Sequence, residues 1–134
     1  MKARAQEPLF VVQEHRSSHL HYDLRLEHEG ALKSWAVPKG IPLDAGIRRL
    51  AVMAQDHARA YADFEGDIPE GDYGAGTVTQ WDKGVYTPVK FEQDEIIFDC
   101  QGRRMQGVYC LIKLKSKNGS DKNWLLFKKK TVAS

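Results

Sequence analysis

The chain has 134 residues, of which 42% are hydrophobic and 28% are charged, as is ordinary for one soluble globular domain. It contains no run of 18 or more apolar residues, so we expect no membrane span. The first eight residues lack the apolar segment of a secretory signal, so we expect a cytoplasmic location.

Charge is distributed unevenly along the chain, although the net charge is only +2. Residues 1–102 contain 11 Lys and Arg and 17 Asp and Glu, which gives −6. Residues 103–134 contain nine basic residues and one acidic residue, which gives +8. A basic end favours contact with a polyanion such as nucleic acid, and a solvated surface with a lysine tail is the alternative.

The two cysteines, Cys100 and Cys110, lie in an apolar stretch of the C-terminal part. Because no secretion signal is visible, reduced thiols are favoured over a disulfide. The sequence therefore predicts two free cysteines in the core.

Short runs that alternate between apolar and polar residues follow one another along the chain. The period of two predicts β-strands, and the turn residues between the runs predict mainly antiparallel β structure, as a barrel or a sandwich. In chain order the predicted strands are 9–14, 20–28, 31–37, 50–56, 76–82, 94–100, 105–114 and 123–129.

Turn signals separate these runs. Glu29-Gly30 between two alternating runs predicts a β-hairpin, and Pro42 to Arg49 is predicted to form one short helical turn with Asp44 as a possible cap. Further turns are predicted at Pro38-Lys39-Gly40, Asp82-Lys83-Gly84, Gln101-Gly102 and Lys117-Asn118-Gly119-Ser120.

A glycine-rich stretch at 64–76 does not match a phosphate-binding loop. No Gly-Lys-Ser or Gly-Lys-Thr follows it, and the next residues are typical of a strand rather than a helix. Glycines at turns and bulges are the favoured explanation.

A polar face on the predicted strand 20–28 indicates a metal site. His21 and Asp23 point the same way, with Cα atoms about 6.5–7 Å apart, so both can reach one ion. A third ligand has to come from elsewhere, and His15 and His57 are the candidates. Two imidazoles and a carboxylate leave positions open for water and substrate and suit Mn²⁺, Zn²⁺ or Fe²⁺. The alternative is an exposed polar face without a metal.

Arg25 continues this face by one further step. A guanidinium beside a metal is suited to a phosphate, because it can bind two oxygens at once. The alternative is a surface ion pair with Glu27 or Glu14.

His57 is the third candidate for chemistry. By parity, Arg49 and His57 are expected to share one face of the strand 50–56 and its flanks, and Tyr61 follows four residues after His57. A histidine near a phosphate can bind an oxygen or donate a proton to a leaving alkoxide. A structural histidine is the alternative.

Several runs together resemble the 3′-phosphoesterase domain of bacterial DNA ligase D and its free-standing relatives. The resemblance covers about residues 8–129, and the motifs are specific in combination. These runs are FVVQEH, LHYDLRLE, LKSWAVPKG, RRLAV, QDH at 55–57, FEGDIPEGDYGAG, WDKG and WLLFKK.

The resemblance implies a compact antiparallel β-barrel-like domain with a Mn²⁺-dependent site that heals DNA 3′ ends in non-homologous end joining. Members remove a terminal ribonucleoside and then the 3′-phosphate. Carried over by position, the metal ligands are His15, His21 and Asp23. The phosphate-binding or catalytic residues are Arg25, His57 and Tyr61, and the supporting cations are Lys39 and Arg49.

The N-terminal arm differs from the family pattern, because only Gln6-Glu7-Pro8 corresponds to a longer arm in members fused to ligase. We expect a short arm at 1–8, a phosphoesterase domain at 9–130 and a tail at 131–134. The expected partners are DNA or RNA-tipped DNA 3′ ends, together with a DNA ligase and a polymerase that act in trans. The protein itself is expected to be a monomer.

Two other functions remain open at this point. One is a non-catalytic, metal-containing module that binds DNA ends. The other is a 2-His-1-carboxylate Fe(II) oxygenase, because His21, Asp23 and His57 formally match a facial triad on a β-barrel. The spacing to His57 is short for that triad, and no further arginine for a 2-oxoglutarate carboxylate is evident.

Overall fold

Nine antiparallel strands and one short 3-10 helix form the fold. The structure is a computed structural model, and it describes residues 7–71, 75–115 and 121–130. The 3-10 helix is Arg59–Asp63. The strands are β1 (Leu9–Arg16), β2 (Leu20–His28), β3 (Ala31–Val37), β4 (Arg48–Ala58), β5 (Gly66–Ile68), β6 (Gly76–Phe91), β7 (Glu95–Gln101), β8 (Gln106–Lys113) and β9 (Asn123–Lys128).

The sheet closes into an eight-stranded barrel. Its order is β1-β2-β3-β4-β9-β8-β7-β6, and β1 pairs with β6 to complete the circle, while β5 pairs with β6 alone. Closure leaves fewer open strand edges than a sandwich of the same strands. The prediction of a mainly β, antiparallel barrel is confirmed.

Apolar residues of alternate parity fill the barrel interior. Trp35 and Trp124 are fully buried there with their rings edge to face, 5.6 Å between centroids. Burying each large side chain contributes roughly 1.5–3 kcal/mol. Other fully buried residues of this core include Phe10, Leu24, Leu26, Tyr86, Phe98, Met105, Tyr109, Leu111 and Leu126.

The predicted hairpin at Glu29-Gly30 is confirmed. Glu29 has φ 52° and Gly30 has φ 83°, and the flanking residues His28 and Ala31 are paired. Two positive φ angles in a two-residue loop are typical of a type I′ turn. The tight loop fixes the register of β3 on β2.

Two predicted turns are absent and a third lies outside the described residues. Residues 42–47 form no helix, because the chain turns at Ala45-Gly46 and β4 already begins at Arg48. The segment Asp82–Gly84 is strand, because it pairs with β1 within the long strand β6. Turns do occur at Pro38-Lys39 and after Gln101, whereas 117–120 is not described.

The outer face of the barrel carries a second, smaller apolar cluster over β1 and β3. Leu9, Val11 and Leu32 pack there against Ala62 of the 3-10 helix, and Tyr61 packs beside them. The 3-10 helix is thereby attached to the outer face of β1. This attachment determines where Tyr61 lies.

A β-bulge changes the parity of β4. Ser34 pairs with Ala54 and Leu32 with His57, so β4 advances three residues while β3 advances two. His57 therefore lies on the same face as Ala54. Arg49 pairs with the core residue Leu126 and lies on the opposite, inner face, so the expectation that Arg49 and His57 share a face is wrong.

The remaining sequence predictions on structure have clear outcomes. Cys100 and Cys110 are free and buried, as predicted. The glycine-rich stretch forms β5 and leads into β6 rather than into a helix, although 72–74 is not described. Among the described residues, no helix is long and apolar enough to cross a membrane.

Candidate active site

Strand pairing places two histidines opposite each other on the outer face of the barrel. β1 and β2 are antiparallel, and His15 pairs directly with His21. Their ring centroids lie 4.7 Å apart. The short connection 17–19 returns the chain immediately, so two residues six apart in sequence become neighbours.

Asp23 completes a group of three possible metal ligands with these histidines. Its carboxylate lies 3.3 Å from Nε2 of His21 and 3.8 Å from Nδ1 of His15. One ligand atom from each residue lies within 4.8 Å of the others, and it is the one such group among the described residues. Two imidazoles and one carboxylate fit a divalent transition metal and leave coordination positions for water and substrate.

The sequence left the third ligand open between His15 and His57. The structure groups His15 with His21 and Asp23. Among the described residues, His57 does not belong to this group. The reason is geometric, since His15 lies on the strand adjacent to His21. β3 separates the strand of His57 from that of His21.

Arg25 is buried beside the three ligands, with 5% of its surface exposed. Its Nε donates to Oε1 of Gln13 at 2.7 Å, and its Nη1 donates to Oγ of Ser34 at 2.7 Å. Its Nη2 lies 3.4 Å from Oδ2 of Asp23. Burial lowers the pKa of Arg25, and the charge of Asp23 counteracts this.

The alternative of a surface ion pair for Arg25 is wrong. Glu27 instead accepts a hydrogen bond from Arg59 at 2.7 Å, and Glu14 accepts one from the hydroxyl of Tyr22. A buried guanidinium with three polar partners is expensive to desolvate and is held in one orientation. Such an arrangement is suited to presenting a fixed cation to an anion.

Three aromatic rings line up beside Arg25. The His57 and Tyr61 rings stack with 4.4 Å between centroids, and Tyr61 stacks on Phe64 at 5.1 Å. The guanidinium carbon of Arg25 lies 4.9 Å from the Tyr61 ring centroid. The aromatic stack thus joins the 3-10 helix to the polar group on β2.

The pKa values of His21 and His57 are shifted in opposite directions. A hydrogen bond with Asp23 raises the pKa of His21 above 6.5, against the effect of burial. Burial lowers the pKa of His57 below 6.5, and the positive charge of Arg25 adds to this. His57 is therefore a neutral imidazole near pH 7, able to accept a proton.

One cavity of about 340 Å³ brings these groups together. Six of the eight residues singled out from the sequence line it, and both metal-ligand and anion-binding chemistry are therefore open to the same ligand. The six are His15, His21, Asp23, Arg25, His57 and Tyr61, and Ser17, Ala36, Ala54 and Ile68 complete the wall.

Comparison with known proteins identifies the family. The family model described as "DNA Ligase D 3'-phosphoesterase domain" matches residues 13–113, which include every lining residue of the cavity. This chain belongs to that family.

Relatives of this phosphoesterase family member are much longer proteins. The "Multifunctional non-homologous end joining protein LigD" of Pseudomonas aeruginosa is 47% identical over 126 residues, which is 90% of this chain and 15% of that protein. The protein of that name from Mycobacterium bovis is 48% identical over 108 residues, 78% of this chain and 14% of its own length. The chain thus spans about one seventh of the length of these relatives.

Two of the residues singled out from the sequence lie away from the cavity wall. Lys39 is exposed in the turn that follows β3. Arg49 lies on the inner face of β4, and its Nε is buried without a hydrogen-bond acceptor among the described residues. Neither side chain lines the cavity that holds the other six.

Gln13 and Ser34 are site residues that the sequence did not reveal. Gln13 is fully buried, accepts from Arg25 and donates from Nε2 to the Tyr61 carbonyl at 2.7 Å, so it links β2 to the 3-10 helix. Ser34 is fully buried and accepts from Arg25. The available signal was weak, because each strand contains other polar residues, such as His15 in β1 and Lys33 in β3.

Proposed function

We propose that this chain is a metal-dependent 3′-phosphoesterase that acts on DNA 3′ ends, with Mn²⁺ as the metal. The proposal rests on one observation: a single cavity contains the group His15, His21 and Asp23 beside the buried Arg25 and the stacked His57. Its proposed reactions are removal of a 3′-phosphate and of a terminal ribonucleoside. Family membership supports a phosphoesterase reaction.

The two kinds of group in the cavity have complementary tasks in this proposal. His15, His21 and Asp23 would hold a divalent metal, which when bound would supply Lewis acidity and lower the pKa of water. Arg25 binds phosphate oxygens. Because Gln13 and Ser34 hold its guanidinium in place, little reorganisation is needed when charge develops on the phosphate in the transition state. The binding of a phosphate beside Asp23 thus depends on a fixed cation.

His57 is proposed to move a proton at one of its imidazole nitrogens. Burial and Arg25 lower its pKa in the protein alone. A bound phosphate dianion has the opposite effect, because a nearby negative charge favours imidazolium. As a water oxygen bonds to phosphorus and the bond from phosphorus to the 3′ oxygen breaks, His57 donates its proton to the leaving 3′ oxygen. Tyr61 supports the His57 ring by stacking and can offer its hydroxyl to the phosphate.

Lys39 and Arg49 are proposed to act outside the reacting centre. The exposed position of Lys39 favours contact with the nucleic-acid strand rather than with the scissile phosphate. Arg49 faces the barrel interior, so its proposed support of the site is indirect. The cellular role proposed is DNA repair by non-homologous end joining, in the cytoplasm, with a ligase and a polymerase acting in trans. The names of the relatives support this role.

A primer-template ending in a 3′-phosphate tests the proposal. Phosphate release is expected with Mn²⁺, and none with EDTA. Binding without turnover would instead favour a non-catalytic module that binds DNA ends. A third reaction with Fe²⁺ and 2-oxoglutarate tests the oxygenase alternative, for which succinate formation is the readout.

Two variants separate the roles of the histidines. His21→Ala should lose both metal binding and phosphate release, whereas His57→Ala should lose release by about 100-fold or more and keep the metal. His28→Ala is the matched control, because His28 lies on the same strand as His21 and outside this cavity. Loss of metal from His57→Ala as complete as from His21→Ala would overturn the ligand assignment.

A further inference from the structure

A buried carboxylate holds the loop between β7 and β8 in one conformation. Asp82 is 3% exposed, and its two oxygens accept four backbone N–H bonds at 2.8–3.0 Å. Gly102 allows this close approach, since a Cβ there would lie 2.5 Å from Oδ2 of Asp82. The four donors are the amides of Lys83, Arg103, Arg104 and Met105.

The loop presents Arg104 to an aromatic pair. The guanidinium carbon of Arg104 lies 4.7 Å from the Trp81 ring centroid. Trp81 meets Tyr22 edge to face at 5.7 Å, and the Tyr22 hydroxyl donates to Glu14 at 3.1 Å. We call Trp81, Tyr22 and Arg104 the stacking surface.

The stacking surface is accessible and lies beside the metal-ligand group. Arg104 is exposed, and Trp81 and Tyr22 are half-buried against the barrel core. Tyr22 lies between His21 and Asp23 in β2, with its side chain on the other face of the strand. A molecule that crosses the end of the β1–β2 hairpin therefore meets both places.

Positive charge surrounds the stacking surface. Arg16 and Arg104 are close enough to Tyr22 for their charges to act on its hydroxyl, and Arg103 adjoins Arg104 in the fixed loop. Lys39 adjoins Gly40, and a Cβ added at Gly40 would lie 3.5 Å from the Tyr22 ring. Four basic residues thus lie near two carboxylates, the buried Asp82 and Glu14, which pairs with Arg16 at 3.4 Å. The remaining positive charge attracts a polyanion.

We propose that the stacking surface holds the nucleic-acid strand whose 3′ end enters the cavity. Arg104 contacts a backbone phosphate, and an unpaired base near the 3′ end packs beside its guanidinium on the exposed part of Trp81. Aromatic rings next to cations bind single strands in this way because every base has a π-face. This inference rests on the proposed function, since it assigns the strand that carries the scissile phosphate.

Arg104→Ala tests the proposal with two substrates of different length. For an oligonucleotide with a 3′-phosphate, KM should rise roughly 5- to 30-fold with little change in kcat, and the salt slope of binding should fall by about one. A nucleoside 3′-phosphate is too small to span both places, so its hydrolysis should not change. An equal loss with both substrates, or no loss with either, would overturn the proposal.

Arg48→Ala is the matched control, because Arg48 lies over the Phe127 ring at 5.1 Å in the same kind of cation–aromatic contact. Equal weakening by Arg48→Ala and Arg104→Ala would reduce the effect to net charge and refute the proposal. Arg104→Lys should restore the salt slope but not the full affinity.

The role of Trp81 is tested on the substrate rather than by deleting a side chain that packs against the core. Replacing nucleotides near the 3′ end one at a time with abasic sites should raise KM at one position. If wild-type protein hydrolyses neither substrate, the proposed function fails, and fluorescence anisotropy with the same oligonucleotides still decides the stacking surface. Equal anisotropy affinities of wild type and Arg104→Ala would refute it.

Discussion

His15 and His21 face each other across the β1–β2 pair, with ring centroids 4.7 Å apart and both rings within reach of the Asp23 carboxylate. Their neighbourhood is a property of strand register rather than of side-chain flexibility. A register-paired ligand set is preorganised, because both backbones are held by the sheet. The metal site should therefore form without a folding step.

His15→Ala should weaken metal binding by removing one of three ligands. We expect a loss of at least 10- to 100-fold in affinity, since even outer partners of a metal site carry that much. Isothermal titration with Mn²⁺ in metal-free buffer measures it. His28→Ala should bind as the wild type does, and a His15→Ala protein with unchanged affinity would exclude His15 as a ligand.

Arg25→Ala should destabilise the fold as well as abolish phosphate binding. The change leaves Gln13 and Ser34 buried without the donors that they now accept from. Each buried polar group left unpaired costs about 1–3 kcal/mol, so urea denaturation should show a lower free energy of unfolding. Part of this loss is relieved by water entering the vacated space.

Arg25→Lys separates charge from shape. It keeps the positive charge but cannot donate to Gln13, Ser34 and a phosphate at once. We expect most of the charge-dependent folding stability to remain and inhibition by inorganic phosphate to weaken. Equal phosphate inhibition of wild type and Arg25→Lys would show that the guanidinium fork is not used.

The polar face of β2 was predictable because no irregularity interrupts that strand. His21, Asp23 and Arg25 are two residues apart in sequence, and a period of two then places them on one face. The same rule failed for Arg49 and His57. The bulge between Ala54 and His57 reverses the parity, and no residue there marks it in the sequence.

Contacts between residues that are far apart in the sequence were not predictable from the local pattern. Gln13 and Ser34 meet Arg25 only because β1, β2 and β3 are adjacent and in register. Asp82 resembled a turn residue in sequence, yet its carboxylate binds amides about 20 residues later. Such residues are identified by the partners they find in the folded barrel.

His57 and His21 should titrate on opposite sides of pH 6.5 in the metal-free protein. The pKa of His57 is lowered by burial, whereas the pKa of His21 is raised by Asp23. NMR of the imidazole protons in EDTA measures both directly. Asp23→Asn should lower both pKa values, because the carboxylate favours imidazolium at each ring.

Stability should follow these titrations with opposite signs. The pKa of His57 is lower in the folded protein than in the unfolded chain. Between these two pH values the unfolded chain binds more protons, so His57 lowers the free energy of unfolding as the pH falls below 6.5. The contribution of His21 is present below 6.5 and is lost as pH rises through its raised pKa. The variant His57→Gln lacks this penalty. Its free energy of unfolding, relative to that of the wild type, should therefore be higher at pH 5 than at pH 8. A reversed trend would contradict the burial of a neutral His57.

Asp82→Ala should release the loop that carries Arg103 and Arg104. Four backbone amides lose their acceptor, and those that water reaches recover part of the loss. We expect about 2–4 kcal/mol of destabilisation, seen as a lower melting temperature.

Oligonucleotide binding by Asp82→Ala should also weaken below the melting transition, whereas binding of Mn²⁺ should not change, because Asp82 is not among the three ligands. Asp99→Ala is the control, because it also removes a carboxylate, from the neighbouring strand β7. If Asp82→Ala lowered the melting temperature but left oligonucleotide affinity intact, the fixed loop would serve the fold alone.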